Sequence, residues 1–147
     1  RCLRVTKTLR RPESVLVVIH TPEFHCLLLE RVQPASFWQS VTGTLHWDET
    51  PAETAAREVV EETGLNAAGL VDAQLQQRFP ILPEWRTRYA ADVSENLEHL
   101  WYLMVPEIAP VTLNPEEHTA SQWFPLEDAI KKVASWTNRA ALERLRQ

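Results

Sequence analysis

The sequence predicts one layered domain of the α/β or α+β type, from three observations. Two apolar runs of strand length, Val15–Ile19 and Cys26–Leu29, flank a turn at Thr21-Pro22-Glu23. A helix over 51–63 is bounded by residues suited to both of its ends. Beyond it, short strands and helices continue to alternate, as in domains where helices cover a sheet. The chain has 147 residues, enough for one core, so the domain is taken as 1–147.

In chain order, the first two runs read as paired strands, and residues 38–46 continue in extended conformation to a loop at Trp47-Asp48-Glu49. Thr50 then suits the N-cap, Pro51 the first helical position, and Glu53 completes a capping box. Gly64 stops the helix, because glycine takes the left-handed conformation freely. Residues 69–79 read as a strand and 80–96 as a long loop rich in Pro, Arg and Asn. Leu100–Val105 reads as a strand ended by Pro106. Val111–Leu113 and Gln122–Phe124 read as short strands around an acidic loop. Pro125 opens a helix to about Ala134, and a last helix is expected over 138–146.

Composition excludes some functions. A net charge of −5 gives no cationic surplus for nucleic-acid phosphates, so an anionic substrate needs local cations or bound metal. Cys2 and Cys26 match no metal-ligand spacing, and Cys26 lies in an apolar run expected to bury it as a free thiol. No leader-like stretch and no apolar run near membrane-spanning length is present, so the expected location is the cytoplasm.

The chemistry concentrates in Gly43–Leu65, GTLHWDETPAETAAREVVEETGL. Glu58, Glu61 and Glu62 lie at helical spacings that place all three carboxylates on one face. Like charges so placed cost roughly 0.2–0.5 kcal/mol per pair on an isolated helix, and a hard divalent cation compensates. Ala52, Ala55, Ala56, Val59 and Val60 are expected to form the apolar stripe against a sheet. Arg57 stands beside the carboxylates and can pair with Glu49, pinning the preceding loop. A solvated acidic helix face is the alternative reading of these carboxylates.

The string Gly43, Glu49, Arg57-Glu58-Val59, Glu61-Glu62 and Gly64-Leu65, at its fixed spacing, resembles the Nudix box at every defining position. The resemblance implies an α/β/α sandwich around a mixed β-sheet. It implies hydrolysis of phosphoanhydride bonds with Mg²⁺ or Mn²⁺, Glu58 and Glu62 as metal ligands, and Glu61 as a further ligand or water-orienting group. It casts Glu49 and Arg57 as a supporting pair.

Phe37-Trp38-Gln39-Ser40-Val41-Thr42-Gly43, Arg88-Tyr89, Glu117-His118 and Trp136-Thr137-Asn138-Arg139 resemble the branch of that family acting on dihydroneopterin triphosphate in folate synthesis. This implies pyrophosphate release and a further metal-site carboxylate or general base at Glu117. It also implies substrate contacts at Arg10, Arg31, Thr42, Phe79, Pro80, Ile81, Leu82 and Ser135. Arg10 and Arg31 suit a triphosphate, and Phe79 or Trp38 suits stacking on a flat ring. Trp85, Trp101, Trp123 and Trp136 are expected in the core or at its rim, and His118 as a loop-orienting residue.

Two features depart from the branch. The loop Leu45-His46-Trp47-Asp48 lacks a glycine and is expected to be stiffer. Phe79-Pro80-Ile81-Leu82 contains a proline and lacks an acidic residue, which counts against ring recognition there. The rival readings are hydrolysis of a nucleoside triphosphate such as dATP, and a binding module of the same fold without turnover.

Overall fold

A computed structural model describes residues 9–147; Cys2 lies outside them. Seven strands form one mixed sheet: β1 (Glu13–His20), β2 (His25–Arg31), β3 (Trp38–Gln39), β4 (Val41–Thr44), β5 (Leu70–Pro80), β6 (Glu95–Met104) and β7 (His118–Pro125). Their main order is β3-β2-β1-β6-β5, with β4 also on β1 and β7 on β2. Helix α1 (Pro51–Thr63) covers one face, and α2 (Leu126–Lys132) and α3 (Trp136–Glu143) cover the other. This is the expected sandwich. No described helix is long and apolar enough to cross a membrane.

The strand alternation of β1 divides the core. Val15, Val17 and Ile19 meet Ala55 and Val59 of α1. Leu16 and Val18 meet Leu126, Ile130 and Leu142 of the opposite layer. Burial pushes the Cys26 thiol up to about 12, in keeping with an inert core cysteine.

The two first strands pair less than expected. They share only the His20–Cys26 rung; β1 then takes β4 antiparallel and β6 parallel, whereas β2 takes β7 and β3. The sheet therefore splits beyond that rung, and the gap becomes the cleft described below.

Helix α1 begins and ends as the sequence specifies. The Glu53 amide donates to the Thr50 hydroxyl at 3.2 Å, and the Thr50 amide donates to Glu53 Oε1 at 2.9 Å. Such a cap contributes about 1 kcal/mol. Gly64 stands at φ +71°, where its amide reaches the Val60 carbonyl. The buried stripe differs from the expected one. Ala52 and Val60 face solvent, and Thr54, Glu58, Glu62 and Thr63 join Ala55 and Val59 inside. The helix is rolled so that two carboxylates, rather than two more apolar groups, turn towards the sheet.

Other boundaries shift for physical reasons. β6 starts at Glu95, five residues before Leu100, because the polar Asn96 and Glu98 are buried strand residues that no apolar run announces. Val111–Leu113 is not a strand: the Thr112 amide donates to the Thr63 carbonyl, and Val111 and Leu113 pack on the core beside α1. Residues 83–88 of the expected loop form a short 3₁₀ helix. α2 stops at Lys132, and α3 starts two residues early at Trp136, capped by Ser135.

Candidate active site

Beyond the His20–Cys26 rung a cleft of about 1150 Å³ opens between the two parts of the sheet. One wall carries Ser14, Leu16, Thr42, Gly43, Phe79, Asn96 and Glu98; the other carries Arg31, Phe37, Gln39 and His118. The N-terminus of α3 and the acidic face of α1 close its sides.

At one end stand the α1 carboxylates. Glu62 is 2% exposed and Glu58 9%, and each carboxyl acts directly on the other's proton affinity. Burial raises the proton affinity of both; for Glu62 the Glu58 carboxyl beside it raises it further. Glu62 Oε1 is buried without a hydrogen-bond partner. Glu58 lies so close over Gly43 that a Cβ at that position would collide with its carboxyl, so glycine is required by close approach. Glu61 turns outward and accepts from Arg57 Nη1 at 3.1 Å. Glu117 sits exposed in the turn before β7, lines the same cleft, and adds negative potential at Glu58 and Glu62.

Among the described residues, no three His, Cys, Asp or Glu side chains already close around one point. The donor set nonetheless fits a hard divalent cation: all oxygen, strongly negative, with one buried oxygen, Glu62 Oε1, left without a partner. Glu58 and Glu62, with Glu117 from the loop, are the residues that could hold it.

The loop before α1 is fixed from two sides. Arg57 donates to both Glu49 oxygens and to the Thr44 carbonyl, and this holds the Glu49 carboxyl down to about 2. Arg11 donates to the carbonyls of His46, Trp47 and Glu49 at 3.0–3.3 Å, and pairs with Glu13. The missing loop glycine is thus matched by an arginine that satisfies its carbonyls.

Arg10, Arg31, Thr42, Phe79, Pro80, Ile81, Leu82 and Ser135 all line the cleft. The guanidinium of Arg31 lies over Phe37 and Trp85, with Nε donating to the Gln33 carbonyl. Thr42 donates its hydroxyl to the Val15 carbonyl. Ser135 caps α3 and shares a hydrogen bond with Thr137.

Trp38 does not line the cleft. Phe37 and Gln39 point into it, so strand alternation turns Trp38 to the other face, edge-on to Phe124 with Lys132 over its ring. Trp47, Trp85 and Trp136 stand at the cleft, whereas Trp101 and Trp123 belong to the core. The separated motif pieces meet: the Ser40 amide donates to Asn138 Oδ1 at 2.8 Å, and Asn138 Nδ2 donates to Ser40 Oγ at 2.9 Å.

His118 is buried 3.7 Å from Glu62 Oε1 and 3.4 Å from the Gln39 amide. Burial, then the charge of Arg31, lowers it to about 4, so it is neutral at physiological pH. That state suits it to orienting a carboxylate rather than to carrying charge.

Residues 10–145 match the NUDIX domain model. The chain is 36% identical to a dihydroneopterin triphosphate diphosphatase of Escherichia coli over 142 residues, 93% of each chain. It is 37% identical to one of Haemophilus influenzae over 139 residues, covering 90% of this chain and 85% of that one. The solved E. coli dihydroneopterin triphosphate pyrophosphohydrolase superposes with a TM-score of 0.86, covering 94% of this chain and 97% of that one at 36% identity.

Proposed function

Since the chain belongs to the Nudix family, hydrolases of phosphoanhydride bonds that use divalent metal ions, we propose that it cleaves dihydroneopterin triphosphate to dihydroneopterin monophosphate and pyrophosphate. This is a step of folate synthesis, and we assign it to the cytoplasm with Mg²⁺, or Mn²⁺, as cofactor. The observation that carries the reading is the buried Glu58–Glu62 pair over Gly43 at one end of a cleft with arginines and aromatic rings along it.

In this reading Glu58 and Glu62 would hold the metal, Glu117 would join them from its loop, and Glu61 would orient water at the rim. A divalent ion there neutralises charge on the phosphates and lowers the pKa of water. Arg10 and Arg31 grip the triphosphate by charge-assisted bonds. Arg57 and Glu49 keep the loop and the carboxylates in register. Phe79, Pro80, Ile81 and Leu82 receive the flat ring, while Thr42 and Ser135 border it.

The test offers dihydroneopterin triphosphate and dATP separately with Mg²⁺ and measures pyrophosphate against orthophosphate. Pyrophosphate released much faster from the pterin is expected. Equal or faster turnover of dATP would move the function to nucleotides, and binding without release from either would leave a module that senses its ligand.

A further inference from the structure

We propose that Glu98 is the specificity-determining residue of the cleft, accepting two adjacent N–H groups from the polar edge of the substrate's ring. The inference rests on the ring-triphosphate reading above and names the part of the ring that is recognised.

Glu98 lies on β6 opposite Ser14 of β1, is 7% exposed, and lines both the main cleft and a small cavity behind it. A buried carboxylate is costly unless something uses it. The fold gives it little: Thr137 alone lowers its proton affinity, set against burial that pushes the carboxyl up to about 7. Every other buried carboxyl at the cleft is accounted for by the acidic end on α1. Glu98 lies on the wall formed by β1, β4, β5 and β6, two residues along the strand from Asn96, which pairs with Phe79.

The chemistry of the ring fits. A 2-amino-4-oxo pyrimidine edge, as in a pterin, presents an amino N–H and a ring N–H side by side. A carboxylate presents two acceptors at matching separation, the same bidentate geometry that pairs it with a guanidinium. Guanine carries this edge as well. Adenine does not: it offers a donor next to an acceptor, and one carboxylate oxygen would then face a lone pair. Glu98 also supplies the acidic group that Phe79-Pro80-Ile81-Leu82 lacks.

The test compares wild type with Glu98→Gln on dihydroneopterin triphosphate, dGTP and dATP. Gln keeps the size but replaces one acceptor by a donor. For both the pterin and dGTP, the kcat/KM ratio to dATP should fall roughly tenfold to a hundredfold, mostly through KM, as for one lost charge-assisted pair. Equal losses on all three substrates would show a structural role and overturn the proposal, as would unchanged ratios. Glu98→Asp, which keeps both acceptors, should recover part of the preference; a ratio as low as that of the Gln variant would also overturn it. If wild type does not turn over the pterin, the functional reading fails by itself, and the dGTP-to-dATP ratio still decides the role of Glu98.

Discussion

Arg57 holds Glu49 by both carboxylate oxygens, Nε to Oε2 at 2.7 Å and Nη2 to Oε1 at 2.8 Å, while its remaining nitrogen reaches Glu58 and Glu61. One guanidinium therefore couples the loop, the outward carboxylate and a buried one. Arg57→Ala is expected to lower turnover at saturating Mg²⁺ by about 10–100-fold, the usual effect of removing a group that orients ligands. Arg57→Lys should recover only part, because an ammonium cannot make the planar fork. Steady-state pyrophosphate release checks both; full activity in the Lys variant would show that charge alone suffices.

The same pair sets an acid limit on stability. The Glu49 carboxyl is held down to about 2, below its unfolded value of about 4.3. A depressed folded-state pKa contributes stability that is fully present above the unfolded value and disappears as pH falls through the folded one. Denaturant midpoints of wild type should thus drop between pH 5 and pH 2 more steeply than those of Glu49→Gln. Parallel curves would mean that the pair contributes no stability.

Glu62→Gln is expected to remove most activity, a loss of at least about a hundredfold, while leaving the circular dichroism spectrum unchanged. In metal-free buffer it should unfold at or above the wild-type temperature, because burial no longer sets two carboxyls against each other. Near-normal turnover at saturating Mg²⁺ would remove Glu62 from the metal site.

Gly43→Ala tests the close approach under Glu58. The added methyl would displace the Glu58 carboxyl rather than the strand. The Mg²⁺ concentration for half-maximal activity should rise about tenfold or more, with thermal stability little changed. An unchanged Mg²⁺ titration would show that Glu58 relocates without consequence.

Substrate preference should vary with pH around the Glu98 value of about 7. Below it the neutral carboxyl offers one donor and one acceptor; above it, two acceptors. Thr137 lines the small cavity with it, and Arg144 is the other charged side chain there. The pterin-to-dATP ratio of kcat/KM should rise from pH 6 to pH 8 in wild type and stay flat in Glu98→Gln. A ratio common to both effects on the metal site cancels them, so parallel profiles would exclude Glu98 as the source.

Much of this site was legible because the residues that carry it are local. Thr50, Pro51, Glu53 and Gly64 specify α1 within one segment, and helical spacing alone puts Glu58 and Glu62 on one face. What escaped depends on contacts between distant segments. Arg11 reads as a surface charge until the carbonyls of the loop are placed around it. Trp38 reads as a ring platform until the pairing of β2 with β3 fixes which way it points. Asn96 reads as a loop residue and Glu98 falls outside the expected strand, because burial of polar side chains in a strand leaves no apolar signal.

The single rung between His20 and Cys26, with the chain crossing at Ser40 from β3 to β4, joins the two half-sheets at one end. A ligand touching both Arg31 and Glu98 would act as a strut across that opening. The free energy of filling the cleft then adds directly to the free energy of keeping the two halves together, so resistance to unfolding becomes a readout of occupancy.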